Sequence, residues 1–432
     1  MPKVAVVGAG SHFTRVLATD IVLAPGLEGG EFALVDNDPK RLELARALLE
    51  KVVAMSGRPW KVSASTDRAA VLDGSDYVIN VIEVAGLDTV RAEFEIPLKY
   101  SVKQVVGDTM GPGGVFKALR TIPSWLAILK DCERLCPDAL VLNYTNPMSM
   151  VSLAAARASS MRVVGLCHSV QKTSRALAGY AGVPYEEMRW TCGGINHLAW
   201  FTALSHKGRD LYPALRERCK LPEIYDQDPM RFEAMLQLGC FPTESSGHHS
   251  EYVPYFRKRD DLIRRFDRSG YRGETGFYAR NWPQWRRDLD ERIRRELSGQ
   301  ESIKLERSHE YASDIIESVE TDRPAVIYGS VPNTGLIDNL PRDGVVEVAC
   351  MIDGTGIHPC HFGPLPPQLA ALCASNMAVF ELGVRAALNH DREAAVHAVM
   401  LDPLTAAVCS LDEIRRMVVE LFEAEKPFLP GF

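Results

Sequence analysis

Five short segments carry side chains whose types and spacing could do chemistry. Gly8-Ala9-Gly10-Ser11-His12-Phe13 follows an apolar run and opens a helical pattern. A glycine-rich turn there lets backbone amides and a helix N-terminus approach a pyrophosphate. Phe13 replaces the third glycine of that pattern, and Asp36 ends the next apolar run 23 residues later. A carboxylate at that separation binds the ribose 2′-hydroxyl of a dinucleotide and repels a 2′-phosphate, which favours NAD over NADP. Lys40 and Arg41 lie close enough to weaken that preference, and the bland alternative is a turn glycine pair with Asp36 as a helix cap. Cys167-His168-Ser169-Val170 ends another apolar run, and Gly193-Gly194-Ile195-Asn196-His197 follows about thirty residues on. Cys167 and His197 could give thiolate and imidazole to one divalent ion, leaving positions open for substrate oxygens. Taken singly, a cysteine at a strand end is more often inert core and a histidine more often structural. Asn143-Tyr144-Thr145-Asn146-Pro147 offers amides that could hold a ligand hydroxyl. Thr243-Glu244-Ser245-Ser246-Gly247-His248-His249-Ser250-Glu251-Tyr252 packs titratable groups into ten residues, and by pattern alone these could be ligands, bases or a capped surface loop.

The elements that must position these groups alternate in type. Apolar runs at Lys3 to Val7, Glu31 to Asp36, Trp60 to Ser65, Asp76 to Ile82, Ala139 to Thr145 and Arg162 to Cys167 read as six strands, most of them separated by helix-length segments. Strands alternating with helices predict a parallel sheet with right-handed crossovers, the α/β layout of a dinucleotide-binding Rossmann domain. Past residue 168 the rhythm changes, and Met188 to Gly194 and Leu198 to His206 read as antiparallel strands. We therefore expect a Rossmann domain over 1–168 and a second, α+β domain over 169–432, the arrangement of lactate and malate dehydrogenases. Arg257 to Arg307 is dense in Arg, Asp and Glu and reads as solvated helices or an assembly surface. The prolines at 364, 366 and 367 form a turn before a Leu369 to Leu388 helix.

Composition excludes several classes. With 432 residues, 46% apolar, the chain can bury a large core, and its 49 basic and 56 acidic side chains lack the basic excess that nucleic acid or an anionic membrane would need. No run approaches the roughly 18 consecutive apolar residues of a membrane span. Met1-Pro2-Lys3 leads into a strand pattern rather than a secretory signal, so we expect a cytoplasmic protein. The ten cysteines form no CxxC pair and are expected to be reduced.

Taken in order, the segments resemble glycoside hydrolase family 4, the NAD- and divalent-metal-dependent glycosidases. The resemblance is carried by Gly8 to Phe13, Gly107-Asp108-Thr109-Met110-Gly111-Pro112-Gly113-Gly114, Asn143 to Pro147, Cys167 to Val170, Gly193 to His197, and Asn339-Leu340-Pro341 with Val345-Val346-Glu347-Val348. It implies oxidation of the sugar at C3, loss of the C2 proton, elimination of the aglycone, addition of water and re-reduction, with no net redox change. It puts Cys167 and His197 on the metal, Mn2+ or another divalent transition ion. Asn146 falls at the sugar near C3, with Asp108 and His248 as further substrate contacts. His168 stands where phospho-sugar members carry the aspartate proposed as general acid. Tyr252 is the best match for the C2 base, with Asp108, His248 and His249 as alternatives. Gly8, Gly10, Ser11, Phe13, Asp36 and Asn143 are the expected NAD contacts. The resemblance further implies a sugar glycoside as partner and a homodimer or homotetramer.

Cys-His-Ser-Val after the sixth strand looks like the α-galactosidase branch of that family, so an unphosphorylated α-galactoside is the expected substrate. An α-glucuronidase or α-galacturonidase is the close alternative, because the Arg-rich stretch could clamp a carboxylate. A 2-hydroxy acid dehydrogenase would share the layout but would not need Cys167 with His197. A non-catalytic NAD-binding regulator would have no use for polar clusters at strand ends.

Overall fold

The computed structural model describes residues 1–432. Strands β1 (Lys3–Val7), β2 (Gly30–Val35), β3 (Trp60–Ser65), β4 (Tyr77–Asn80), β5 (Leu140–Asn143) and β6 (Arg162–Leu166) are parallel and lie in the order 3-2-1-4-5-6. This is the Rossmann order expected from the alternating pattern. Every residue of β4 and β5 is buried, as strands covered by helices on both faces must be. Local signals set the helices. Asp38 caps the helix Pro39–Ser56 by accepting from the Lys40 and Arg41 amides, and Gly57 ends it in the left-handed conformation at φ 66°.

The second half adds β7 (Met188–Ile195), β8 (Leu198–His206), β9 (Arg209–Asp210), β10 (Phe241–Pro242), β11 (Ala325–Pro332), β12 (Val345–Asp353) and β13 (Gly356–Pro359). These strands continue the first sheet. β11 pairs antiparallel with β6, Gly329 opposite Leu166, and the order runs onward through β12, β7 and β8 to β10. Gly329 is required at this seam, because a Cβ there would lie 2.7 Å from a Val164 methyl. Apolar side chains from both halves join in one buried cluster of 117 residues. The seam between parallel and antiparallel halves therefore runs along β6, just before Cys167.

The reading of the charged stretch needs correction, and one apolar helix needs placing. The charged stretch is not simply solvated: its helix Phe277–Ser298 lies against the glycine loop and the helix after it. Arg15 pairs with Glu296 at 2.7 Å and His12 with Asp290 at 2.8 Å, with Glu296 fully buried. Arg257 is buried as well, donating to the Gly273 carbonyl and pairing with Asp267. The helix Pro367–Asn389 is, by length and composition, apolar enough to cross a membrane. Counting consecutive apolar residues hides this, because Gln368, Ser375 and Asn376 interrupt the run. In the fold its Cys373, Met377, Phe380 and Val384 are buried against neighbouring helices.

Candidate active site

The glycine loop is fixed to the sheet by its own backbone. The Gly8 and Ala9 amides donate to the Val35 carbonyl at 3.0 and 2.9 Å, and Gly8 has φ 85°. A Cβ on Gly8 would meet the Ile82 backbone at 2.9 Å, so only glycine fits. The Gly10 amide donates to Asp36 Oδ2 at 2.8 Å. Arg41 donates from Nε to the Gly10 carbonyl at 3.0 Å and faces Asp290 at 3.5 Å, so its charge is engaged within the protein. The Ser11 hydroxyl accepts from the Phe13 amide at 3.3 Å, and the Phe13 ring meets Tyr144 edge-on at 5.1 Å. Asn143 is buried: its amide donates to the Thr145 carbonyl at 3.1 Å and its carbonyl accepts from Asn80 at 2.8 Å. It shapes the turn that carries Tyr144 to Asn146 and offers no free group of its own. A cleft of about 250 Å³ joins Ser11 and Phe13 to Asp108 and Asn146, with Trp282 and Arg286 also in its walls.

Beside Asp108, which lines the cleft, four segments converge. Cys167 comes from the end of β6, and His197 from the two-residue turn between β7 and β8, at φ 65°. Glu244 follows β10, and His248 lies on the helix Ser246–Tyr252. Cys167 Sγ is 3.4 Å from His197 Nε2, and Glu244 brings a carboxylate oxygen to 3.8 Å from the same nitrogen. These three ligand atoms lie within 4.8 Å of one another. Donors around one transition ion are separated by about 3 to 4 Å, so sulfur, nitrogen and oxygen here fit a divalent ion. Burial lowers the His197 pKa to about 4, which keeps the imidazole neutral and able to coordinate. Burial, then the Glu244 and Glu347 carboxylates, raise the Cys167 thiol.

A polar chain leads from this cluster back toward the cleft. His248 faces Glu244 at 3.5 Å through Nδ1 and Asp108 at 3.6 Å through Nε2. Burial opposes its charge, but the Asp108 and Glu244 carboxylates outweigh that and raise its pKa to about 10. Asn146 donates to Asp108 Oδ2 at 3.4 Å, and Lys117 stands 3.8 Å from Asp108 and 2.8 Å from Glu83. Burial would raise the Asp108 carboxyl, but His248 and Lys117 hold it well below the usual range. His168 faces Glu310 at 3.2 Å. Tyr252 is buried, its ring 6.0 Å from that of His197. Burial pushes its phenol well above the ordinary value, with Thr109 opposing and Asp108 adding to the rise.

Of the ten residues from Thr243 to Tyr252, the structure turns Glu244, His248 and Tyr252 toward the cluster. Glu251 instead accepts the Val105 and Val106 amides at 2.7 and 3.0 Å and braces the loop before Asp108. His249 packs against Trp200 and Phe256 in the core. The sequence reading named neither Glu244 as a ligand nor Glu83, Lys117, Trp282, Arg286 or Glu310. For Glu244 a signal existed: an acid between a short strand and the capping Ser245, whose hydroxyl accepts from the His248 amide. For Trp282 and Arg286 there is none, since their stretch reads as surface, and Glu310 lies just beyond that stretch with no motif around it.

The family 4 glycosyl hydrolase model matches residues 3–183, and that of the family's C-terminal domain matches residues 192–405. An α-galactosidase of Bacillus subtilis is 39% identical over 439 aligned positions covering all of both chains. One of Rhizobium meliloti is 37% identical, covering all of this chain and 89% of its own. An α-galacturonidase of Lachnoclostridium phytofermentans is 28% identical, covering 99% of this chain and 97% of its own. Among solved structures, the 6-phospho-β-glucosidase of Thermotoga maritima with manganese, NAD+ and glucose-6-phosphate superposes with a TM-score of 0.81 at 22% identity, 99% of each chain covered. At that identity the likeness speaks for the fold.

Proposed function

Because the chain belongs to family 4 of the glycosyl hydrolases, we propose that it is an NAD- and Mn2+-dependent α-galactosidase acting on unphosphorylated galactosides. The observation that carries this reading is the full-length similarity to two α-galactosidases, at 39% and 37% identity. Enzymes of this NAD-dependent kind stand outside the usual two-carboxylate scheme of glycoside hydrolysis. When bound, NAD would supply reversible oxidation at C3 of the sugar and the divalent ion would supply a Lewis acid.

The chain's own residues do the rest. The turn Gly8 to Phe13, its Gly8, Ala9 and Gly10 amides tied to Val35 and Asp36, brings the N-terminus of the helix Phe13–Val22 to the pyrophosphate, Asp36 binds the ribose, and Asn143 holds the turn behind them. Cys167 and His197 hold the ion. Asn146 and Asp108 bind the sugar hydroxyls around C3, and His248, fixed between two carboxylates, contributes a cation beside them. Tyr252 takes the proton from C2. Its raised pKa means that it needs positive charge close by, which the divalent ion held by Cys167 and His197, whose ring lies 6.0 Å from that of Tyr252, would supply when bound. His168, oriented by Glu310, hands a proton to the leaving oxygen. Trp282 and Tyr278 give the cleft an aromatic wall.

An α-galacturonidase is the second reading, favoured by the one observation that Arg286 lines the cleft with its buried Nε unpartnered. A panel of nitrophenyl α-glycosides with NAD, Mn2+ and a thiol reductant separates the two. The galactoside should be cleaved and the galacturonide left intact; the reverse would overturn the assignment. Ten free cysteines and the use of a nicotinamide cofactor support a cytoplasmic enzyme. Exposed Val326 and Met351, directly opposed on β11 and β12, support a homo-oligomer, which sedimentation would test.

A further inference from the structure

We propose that Glu244 is a third protein ligand of the divalent ion, completing a cysteine–histidine–glutamate set with Cys167 and His197. The inference rests on the metal-dependent reading above. Three features of the chain point to it. First, the Glu244 carboxylate, 15% exposed, stands 3.8 Å from His197 Nε2, too far for a hydrogen bond yet within the spacing of two donors on one ion. The same nitrogen faces Cys167 Sγ at 3.4 Å, so thiol, imidazole and carboxylate converge on one point.

Second, the backbone is held in an unfavourable conformation to aim this side chain. Glu244 has φ 68°, a left-handed region that glutamate seldom adopts. Its neighbours enforce it. The Thr243 amide donates to the Ala199 carbonyl at 2.8 Å and the Thr243 hydroxyl accepts from the Ala199 amide at 3.1 Å, two residues beyond His197. On the other side Ser245 caps the helix that carries His248. Strain that the surroundings over-determine is the kind retained at functional positions.

Third, the two oxygens of the carboxylate have different neighbours: Oε2 faces His197 and Oε1 faces His248. A ligand that also meets an outer histidine is fixed in orientation, as ligating carboxylates commonly are. Glu244 thus ties the ion to the His248–Asp108–Asn146 chain at the sugar. A hard oxygen joined to the Cys167 thiolate also suits Mn2+ better than a thiolate and imidazole alone.

The test is Mn2+ binding to the metal-free, full-length protein, followed by electron paramagnetic resonance of the free ion, with NAD affinity and thermal melting measured alongside. Glu244→Gln and Glu244→Ala should weaken Mn2+ by about 10- to 100-fold and leave NAD affinity unchanged. Glu244→Asp should fall between. Glu244→Gly removes the ligand while suiting the left-handed backbone, so the metal-free variant should melt no lower than the metal-free wild type and still lose Mn2+. Replacing Mn2+ by Co2+ adds a second readout. The thiolate absorption from Cys167 should persist in Glu244→Gln while the visible ligand-field bands shift. Wild-type affinity and an unchanged Co2+ spectrum in Glu244→Gln and Glu244→Gly would overturn the assignment while leaving the metal-dependent reading intact. A wild-type protein that binds no Mn2+ would overturn that reading itself.

Discussion

The glycine loop is fixed through its main chain: the Gly8 and Ala9 amides tie to Val35, and the Gly10 amide ties to Asp36, all within 30 residues of one another. The metal cluster beside Asp108 is built from side chains, with Cys167, His197, Glu244 and His248 drawn from four separate segments. The first end uses glycine where a Cβ would collide. The second holds His197 and Glu244 in left-handed conformations that a glycine would adopt more easily. A cofactor bound through its phosphates needs a shape that backbone can supply. An ion that must grip and release sugar oxygens needs particular side-chain atoms, and the fold accepts strained backbone, on the order of 1 kcal/mol or more per residue, to place them.

The sharpest separation of the two ends comes from the ligands. Cys167→Ser and His197→Ala should each reduce turnover on the order of 10³-fold, because Lewis-acid stabilisation is worth several kcal/mol. NAD affinity by calorimetry should stay within about twofold, since each tenfold takes about 1.4 kcal/mol and neither side chain touches the loop. If either variant also lost NAD binding, the ends could not be treated as separate. Asp36→Ala is the converse case. It should weaken NAD on the order of tenfold, the worth of one charge-assisted hydrogen bond, and leave Mn2+ affinity alone.

That contrast also explains how much could be read in advance. The parallel half follows from local pattern: apolar runs of strand length, helix-length spacers, and a loop whose chemistry lies within six consecutive residues. Its strands lie close to where periodicity put them. Cys167 and His197 were also legible, because each sits beside strand ends or glycines. Glu244 was seen only as one acid among several, since nothing in Thr243 to Tyr252 says which side chains face Cys167. The helix Phe277–Ser298 was least legible. Its Arg, Glu and Asp pattern is that of a solvated helix, yet Glu296 is buried by Arg15, a residue 281 positions away. The joining of both halves in one sheet depends on β6 meeting β11, likewise a long-range pairing.

A smaller effect concerns stability at the metal end. Burial raises the Glu347 carboxyl to about 8, with Asn196 opposing and Glu244 adding to the rise. An acid whose folded pKa lies above its unfolded value costs nothing at low pH, where both states are protonated. Its cost grows as pH rises from about 4.5 toward 8, because the unfolded chain ionises first. In the metal-free protein, Glu347→Gln should remove that slope. Its melting temperature relative to wild type should rise by about 1 to 3 °C between pH 5 and pH 8. A constant difference across that range would mean that Glu347 is ionised in the fold, as a second anion beside Glu244.

The central claim is that the two ends act on one sugar: removing hydrogen at C3 makes the C2 proton acidic, and Tyr252 takes it while the ion is held by Cys167 and His197. Ordinary hydrolysis never breaks the C2–H bond. The most direct measurement is turnover of an α-galactoside in deuterated water with NAD and Mn2+, followed by mass spectrometry and proton resonance of the released sugar, for wild type and Tyr252→Phe. The account predicts deuterium at C2 of the sugar from the wild-type enzyme. It predicts a loss on the order of 10² to 10⁴ in rate for Tyr252→Phe, with NAD and Mn2+ still bound. Galactose released with protium at C2, together with no rate change on deuterating C2 of the substrate and full activity in Tyr252→Phe, would contradict it.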